Sequence, residues 1–344
     1  MGLADRFPVL GMLAGRHLSS LVLWLSLSGC GLIVDAIGFI HPLATTELDA
    51  ICARHQIRVG MSFEPVQPFV FPAIYTDEGL RVTGLDVELV REISAAFSQY
   101  CGGTEPIVPT LHLIRFRNLF IELTEGNLDF FVSSISANVP APNRVGLGYS
   151  NPYFEAGGTG GIAARPEVAE RFRAHISRQS TVPADAFSRL TVAVQEGTSA
   201  QFYAESSLTG IRLVLCDSLP AALETKDPPI DLILGKAPVL EYTVRRSRKD
   251  WHLLRSENGK PLVLTREHYA IVTDEESYRL RRFLNELLFR LEESGRLAEM
   301  RRRWLEEDYA YPRRAATEGL PFAAEKMPQH YDQGQCRLTD NRSR

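Results

Sequence analysis

The chain has 344 residues, 44% hydrophobic and 23% charged, with 38 Lys and Arg against 42 Asp and Glu for a formal net charge of −4. That length is about two domains with a sizeable core, and the composition excludes a disordered chain, a collagen-like repeat and a multi-span membrane protein. A balance this close to neutral lacks the positive field that nucleic acids demand, so no nucleic-acid partner is expected.

The first segment reads as an export signal. Arg6, Arg16 and His17 precede an apolar run over 18–27, and small residues follow, Ser28-Gly29-Cys30. Leu27-Ser28-Gly29-Cys30 is similar to a bacterial lipobox, which implies lipidation of Cys30 as the mature N-terminus, a lipid anchor in the membrane, and residues 1–30 as a lipoprotein signal peptide. Met12 is an alternative start. The apolar stretch runs on to residue 40, long enough to span a bilayer of about 20 residues, but Asp35 would cost roughly 2.5–3.5 kcal/mol near its centre. A plain secretory cut near Ala36 or Ala44 is a further alternative. All three readings put the globular part outside the cytoplasm, where disulfides persist. The five cysteines show no CxxC or Cys/His metal spacing. Of Cys52, Cys101, Cys216 and Cys336, the pair Cys52 and Cys101 is preferred, because they flank the first strand and first helix; four free thiols remain the alternative.

After a linker over 31–54, strands and helices alternate. Residues 57–61 read as a strand and 85–97 as a helix whose face carries Leu89, Val90, Ile93 and Phe97, stopped by Gly102-Gly103. A helix follows over 118–123 and a buried strand over 128–132. Beyond a loop over 137–152 come strands at 161–164 and 190–194, then a helix opening at Gly197-Thr198-Ser199. Strands at 213–216 and 230–234 flank a helix over 219–224. Thr273-Asp274-Glu275-Glu276 predicts a capping box ahead of a helix with Leu280, Phe283, Leu284, Leu287, Leu288 and Leu291 at helical spacing. Gly295 separates it from a last helix with Leu297, Met300 and Trp304. From 306 to 344 the chain is polar, Pro-broken and without periodicity, the pattern of a disordered tail. The alternation predicts an α/β fold with mainly parallel sheets and a ligand at the carboxyl ends of strands.

A series of short motifs then resembles one family. Pro68-Phe69 follows the first strand. Thr83-Gly84-Leu85-Asp86-Val87-Glu88-Leu89 is similar to G-F-D-x-D-L, and Gly126-Asn127-Leu128-Asp129 leads into Ser133-Ser134-Ile135-Ser136. Asn143-Arg144, Tyr149-Ser150-Asn151-Pro152-Tyr153 and Val192-Ala193-Val194-Gln195-Glu196-Gly197-Thr198-Ser199 follow in order. Over about residues 55–305 this resembles the family 3 extracellular solute-binding proteins, the polar amino acid-binding components of ABC importers. The resemblance implies a two-lobe, type 2 periplasmic-binding-protein fold with a ligand cleft between the lobes. Lobe 1 would hold 55–155 and return over 267–305, and lobe 2 would hold 156–266. It implies an exported, periplasmic or cell-surface monomer that captures a small anion or amino acid for a membrane permease, with no cofactor and no metal.

Carried over residue by residue, the resemblance places a solute carboxylate on Arg144, which can hold it bidentately, and on Thr198 and Ser199 at a helix start. Ser134 and Ser136 would add hydroxyls and Phe69 a stacking face. The pattern departs at three points. Arg144 lies eight residues after Ser136 where about five are usual, Ala141 stands where the family has Thr, and Lys236 stands where a second Asp commonly holds the solute's ammonium. Like charges about 4 Å apart repel by roughly 4 kcal/mol at an effective dielectric of 20. A Lys236 aimed into the cleft therefore disfavours an α-amino acid and favours an organic acid; aimed at solvent, it would leave an ammonium to Glu241, Asp217 or Glu196. Two other functions compete. A dehydratase-like enzyme on the same fold would need an acid or base such as Glu155, Glu196 or His268, which form no visible constellation, and a sensory or interaction module would need no turnover.

Overall fold

The computed structural model describes residues 46–137, 139, 144–155, 157–163, 165–176, 182–247, 250–322 and 334–339. Cys30 and the export signal lie outside the described residues. Of the unit 1–50, residues 46–50 open helix α1 (Glu47–Arg54). There the Thr46 hydroxyl accepts the Asp49 N–H at 3.2 Å and the Asp49 carboxylate accepts the Thr46 N–H at 2.9 Å, a reciprocal cap for a helix start.

The unit from Ile51 onward holds two six-stranded sheets and a small third one. Strands β1 (Gln56–Ser62), β2 (Ile74–Thr76) and β3 (Gly79–Val82) lead to helix α2 (Leu85–Cys101). Next come β4 (Val108–Ile114), α3 (Leu119–Thr124), β5 (Phe130–Ser136), β6 (Leu147–Tyr149) and β7 (Phe154–Glu155). The chain then passes to β8 (Thr159–Ala163), α4 (Pro166–Ile176), β9 (Thr191–Gln195), α5 (Ser199–Ser207), β10 (Arg212–Cys216), α6 (Leu219–Glu224), β11 (Leu232–Lys236), α7 (Ala237–Ser247) and β12 (His252–Leu253). It returns through β13 (His268–Asp274), α8 (Tyr278–Glu293) and α9 (Arg296–Leu305), and ends with α10 (Arg313–Glu318), β14 (Leu320–Phe322) and β15 (Cys336–Leu338).

The first sheet runs β4-β1-β5-β13-β6, with β7 also on β13; the second runs β12-β8-β11-β9-β10-β15. In each, three strands are parallel (β4, β1, β5 and β10, β9, β11), and the strands that meet them, β13 in the first sheet and β8 and β15 in the second, are antiparallel. β5, β9 and β11 are buried along their whole length, which is why each opens or centres on consecutive apolar residues rather than on an alternation, with the polar residues Ser133, Ser134, Ser136, Gln195 and Lys236 towards their carboxyl ends. The protein is thus a two-lobe α/β molecule, one sheet to each lobe.

Two crossovers join the lobes, one through 157–158 and one through 263–267. They run against each other: Leu264 N–H donates to the Thr159 carbonyl at 2.7 Å and Thr159 N–H to the Thr265 hydroxyl at 2.8 Å. Gly158 makes this approach possible, with φ +140° and a Cβ position that would overlap the Thr265 carbonyl.

The apolar spacing of α8 predicts its buried face, Leu280, Phe283, Leu284, Leu287, Leu288 and Leu291. Its start differs from the capping box. Thr273 and Asp274 belong to β13, where Thr273 pairs with Phe130 and Gly148, and the helix begins at Tyr278 after Ser277. Sheet pairing outcompetes the local cap, and the Asp274 carboxylate turns the chain instead by accepting the Glu276 N–H at 2.9 Å.

The segment from 306, expected to be irregular, carries α10, β14 and β15. β14 pairs with β3 on the small sheet and β15 with β10 at the edge of the second sheet. Disulfides join Cys52 to Cys101 and Cys216 to Cys336. Among the described residues no helix is long and apolar enough to cross a membrane.

Candidate functional site between the lobes

The carboxyl end of β5 supplies Ser133, Ser134 and Ser136, all buried. Ser134 has a left-handed backbone, φ +47°, unusual for a residue with a Cβ. Its N–H donates to Oδ2 of Asp86 at 2.8 Å, and the Tyr153 hydroxyl donates to Oδ1 at 2.8 Å. Asp86 is the second residue of α2, where its charge also meets the positive end of the helix. Burial still pushes its pKa up to about 6, with the Tyr153 hydroxyl, the Ser134 N–H and Lys236 acting in the opposite direction.

From the second lobe, Lys236 at the end of β11 reaches into this turn. Its Nζ donates to the Ser134 hydroxyl at 2.7 Å and the Ser133 carbonyl at 3.5 Å. It lies over the rings of Phe116 at 5.2 Å and Tyr269 at 5.7 Å. Burial draws its pKa down to about 8, while Asp86 and Glu267 favour the charged form, Arg144 opposes it, and Glu64 again favours it. The cation is therefore aimed between the lobes rather than at solvent.

Glu267, at the end of the second crossover, is a further buried charged residue and is only 1% exposed. Its Oε1 accepts the hydroxyls of Thr265 at 2.6 Å and Thr159 at 3.0 Å. Its Oε2 accepts the Ser199 hydroxyl at 2.8 Å and the Ser136 hydroxyl. Ser136 comes from the first lobe and Ser199 from the first turn of α5 in the second. A carboxylate surrounded in this way has its desolvation offset by charge-assisted hydrogen bonds of roughly 1.5–3 kcal/mol each.

The other predicted residues do different work. Arg144 donates to the Ser136 carbonyl and lies 5.8 Å over Phe120. Burial lowers its pKa, Tyr149 and Glu267 push the other way, and its Nε has no hydrogen-bond partner among the described residues. Thr198 turns its hydroxyl to the Gln195 carbonyl at 2.7 Å and closes the β9–α5 turn. Phe69 is wholly buried, edge-on to Phe154 and Tyr269 at 5.0 and 5.2 Å, and packs in the core instead of offering a stacking face. Of the predicted set the structure thus brings together Ser134, Ser136, Ser199, Lys236 and, through Ser136, Arg144.

Asp86, Thr159, Thr265 and Glu267 were not predicted as site residues. Asp86 stood in the Gly84-Leu85-Asp86 motif as a usable signal, but Glu267 has no motif around it. Glu155 and His268 are cross-strand partners on β7 and β13, while Glu196 is engaged by Arg337 and, at 3.5 Å, by Arg117. Among the described residues no group of three or more His, Cys, Asp or Glu is placed to hold a metal.

The mouth of the gap is bridged by ion pairs between lobes, Arg117 to Glu196 at 3.5 Å and Arg115 to Asp217 at 3.8 Å. Such exposed pairs contribute about 0–1 kcal/mol each.

The fold matches many solved structures. A mutant of ArgBP from T. maritima aligns at TM-score 0.60 and 24% identity over 76% of this chain and 100% of that one. An amino acid ABC transporter substrate-binding protein from Streptococcus pneumoniae bound to L-arginine aligns at TM-score 0.60 and 18% identity over 79% and 98%. The ancestral amino acid-binding protein AncCDT-1, a precursor of cyclohexadienyl dehydratase, aligns at TM-score 0.59 and 18% identity over 76% and 100%. At these identities the likeness establishes the two-lobe binding-protein fold. A search of the curated proteins gives no match. The family model of the bacterial extracellular solute-binding proteins, family 3, matches residues 64–307. The chain, with its two lobes and charged gap, therefore belongs to the bacterial extracellular solute-binding proteins of family 3.

Proposed function

We propose that this protein is an extracytoplasmic receptor, lipid-anchored through Cys30, that captures a small carboxylate-bearing solute as a monomer and passes it to the membrane permease of an ABC importer. The observation that carries this reading is the gap's capacity to hold a carboxylate. Hydroxyls from both lobes, Ser136 on one side and Ser199 and Thr159 on the other, converge on carboxylate oxygens there. Contacts drawn from both lobes are what couple binding to closure.

L-arginine bound to the pneumococcal relative makes an amino acid the first solute to consider. Lys236 argues against one. Its ammonium stands at the position from which an acidic residue would attract the solute's own, so an organic acid without an α-amine is the better fit. This reading needs no turnover. A ligand-independent interaction module is the second reading, favoured by a gap filled with the chain's own side chains.

Thermal shift and calorimetric titration with paired α-amino acids and their desamino acids test the proposal. The desamino acids should raise the melting temperature by mass action, and Lys236→Asp should reverse the preference. Equal binding of both classes to the wild type, with no change in the variant, would refute it.

A further inference from the structure

We propose that Glu267 is a resident ligand of this site: its carboxylate occupies the carboxylate position, Lys236 stands in for the counterpart ammonium, and the lobes close on them without any solute. This deepens the receptor reading and rests on it for the location of the carboxylate position.

Three observations carry it. The Glu267 carboxylate is held by side chains from every part of the closure, Ser136 from the first lobe, Ser199 and Thr159 from the second, and Thr265 from the crossover. A second buried contact across the gap, Lys236 to Ser134, is also made by a charged side chain of this chain, so both charges an amino acid would bring are already present. Finally, the side chain is tethered on a crossover, where Thr159 and Thr265 are themselves bonded through the Thr159 N–H at 2.8 Å. A tethered carboxylate has an effective concentration far above that of a free solute. A solute therefore binds only by displacing Glu267, and it must be a small anion able to take the same hydroxyls. The same logic makes Glu267→Ala a receptor for a free monocarboxylate of acetate size. Truncation leaves the hydroxyls of Ser136, Thr159, Thr265 and Ser199 facing a space a carboxylate has left, with Lys236 and Arg144 as the nearby cations.

The test is acetate titration of the purified full chain, with chloride at equal ionic strength as control. In Glu267→Ala, acetate should raise the melting temperature in a saturable way, with apparent affinity at least about tenfold above that of the wild type. A folded variant that responds to acetate no better than the wild type overturns the proposal. Glu267→Gln keeps the volume and removes the charge, and covers a failure of the alanine variant to fold. Small-angle scattering without added solute should show the wild type closed and Glu267→Gln with a larger radius of gyration. A wild type that is open without solute, or a Gln variant as compact as the wild type, overturns it equally. The receptor reading fails on different data, the absence of any solute that binds the wild type, and acetate binding to the alanine variant would survive that result.

Discussion

At the scale of single residues the site is a set of buried charges whose protonation is linked to folding. Burial draws Lys236 from 10.5 down to about 8, against the pull of Asp86, Glu267 and Glu64 and with the push of Arg144. Between those pH values the unfolded chain holds a proton that the native state has released, so stability rises as pH increases from about 8 to 10.5. Asp86 works in the opposite sense. Pushed from 3.8 up to about 6, it keeps a proton in the native state that the unfolded chain has lost, so stability falls across that window as pH rises. The Lys236 contribution should be on the order of a few kcal/mol. Urea unfolding of Lys236→Met, whose apolar chain can remain between Phe116 and Tyr269, should lack the alkaline rise; a rise of wild-type size in that variant would dismiss Lys236 as its source. The serines and Lys236 were legible because they sit in motifs at strand ends and helix starts. Glu267 was not, because its partners Ser199, Thr159 and Ser136 lie 68, 108 and 131 residues away in sequence. No local spacing encodes a contact made by four separate segments.

At the scale of elements, periodicity carried the reading. The helix over 219–224 and the buried face of α8 were predictable because a helix that buries one stripe must repeat its apolar residues at helical spacing. The capping box failed because Thr273 and Asp274 satisfy a cap and an edge of β13 equally well in local terms, and only the neighbours Phe130 and Gly148 decide between them. The crossovers are governed by one backbone position. Gly158 at φ +140° presses against the Thr265 carbonyl, and an L-residue there is strained by about 1–3 kcal/mol before any overlap is counted. Gly158→Ala should therefore lower the urea midpoint by at least that equivalent and speed amide exchange at Thr159 and Leu264. Unchanged exchange at both would show that the crossovers do not depend on this contact.

At the scale of the whole molecule, the chain's last segment ties the two lobes a further time. β14 lies on β3, while β15 lies on β10 and is bonded covalently through Cys216 and Cys336, which are 120 residues apart in sequence. Arg337 on β15 pairs with Glu196, which also meets Arg117 of the other lobe, so the strand reaches the mouth of the gap. A closed loop of that length limits the unfolded chain by roughly 4–5 kcal/mol on the entropic account. Cys336→Ser should lower stability by about 2–5 kcal/mol and expose the β10 edge, seen as faster exchange at Leu215 and Asp217, whose N–H groups face β15. If the unfolding midpoint and that exchange both stay at wild-type values, β15 is not a structural part of the second lobe. The amino-acid sequence by itself determined the α/β class, the family and most strands and helices, because each depends on periodicity and on motifs a few residues long. Only the tertiary structure decided what fills the gap, which cysteine pairs with Cys336, and where the last segment lies, because those depend on side chains that meet only once two distant halves of the chain have folded against each other.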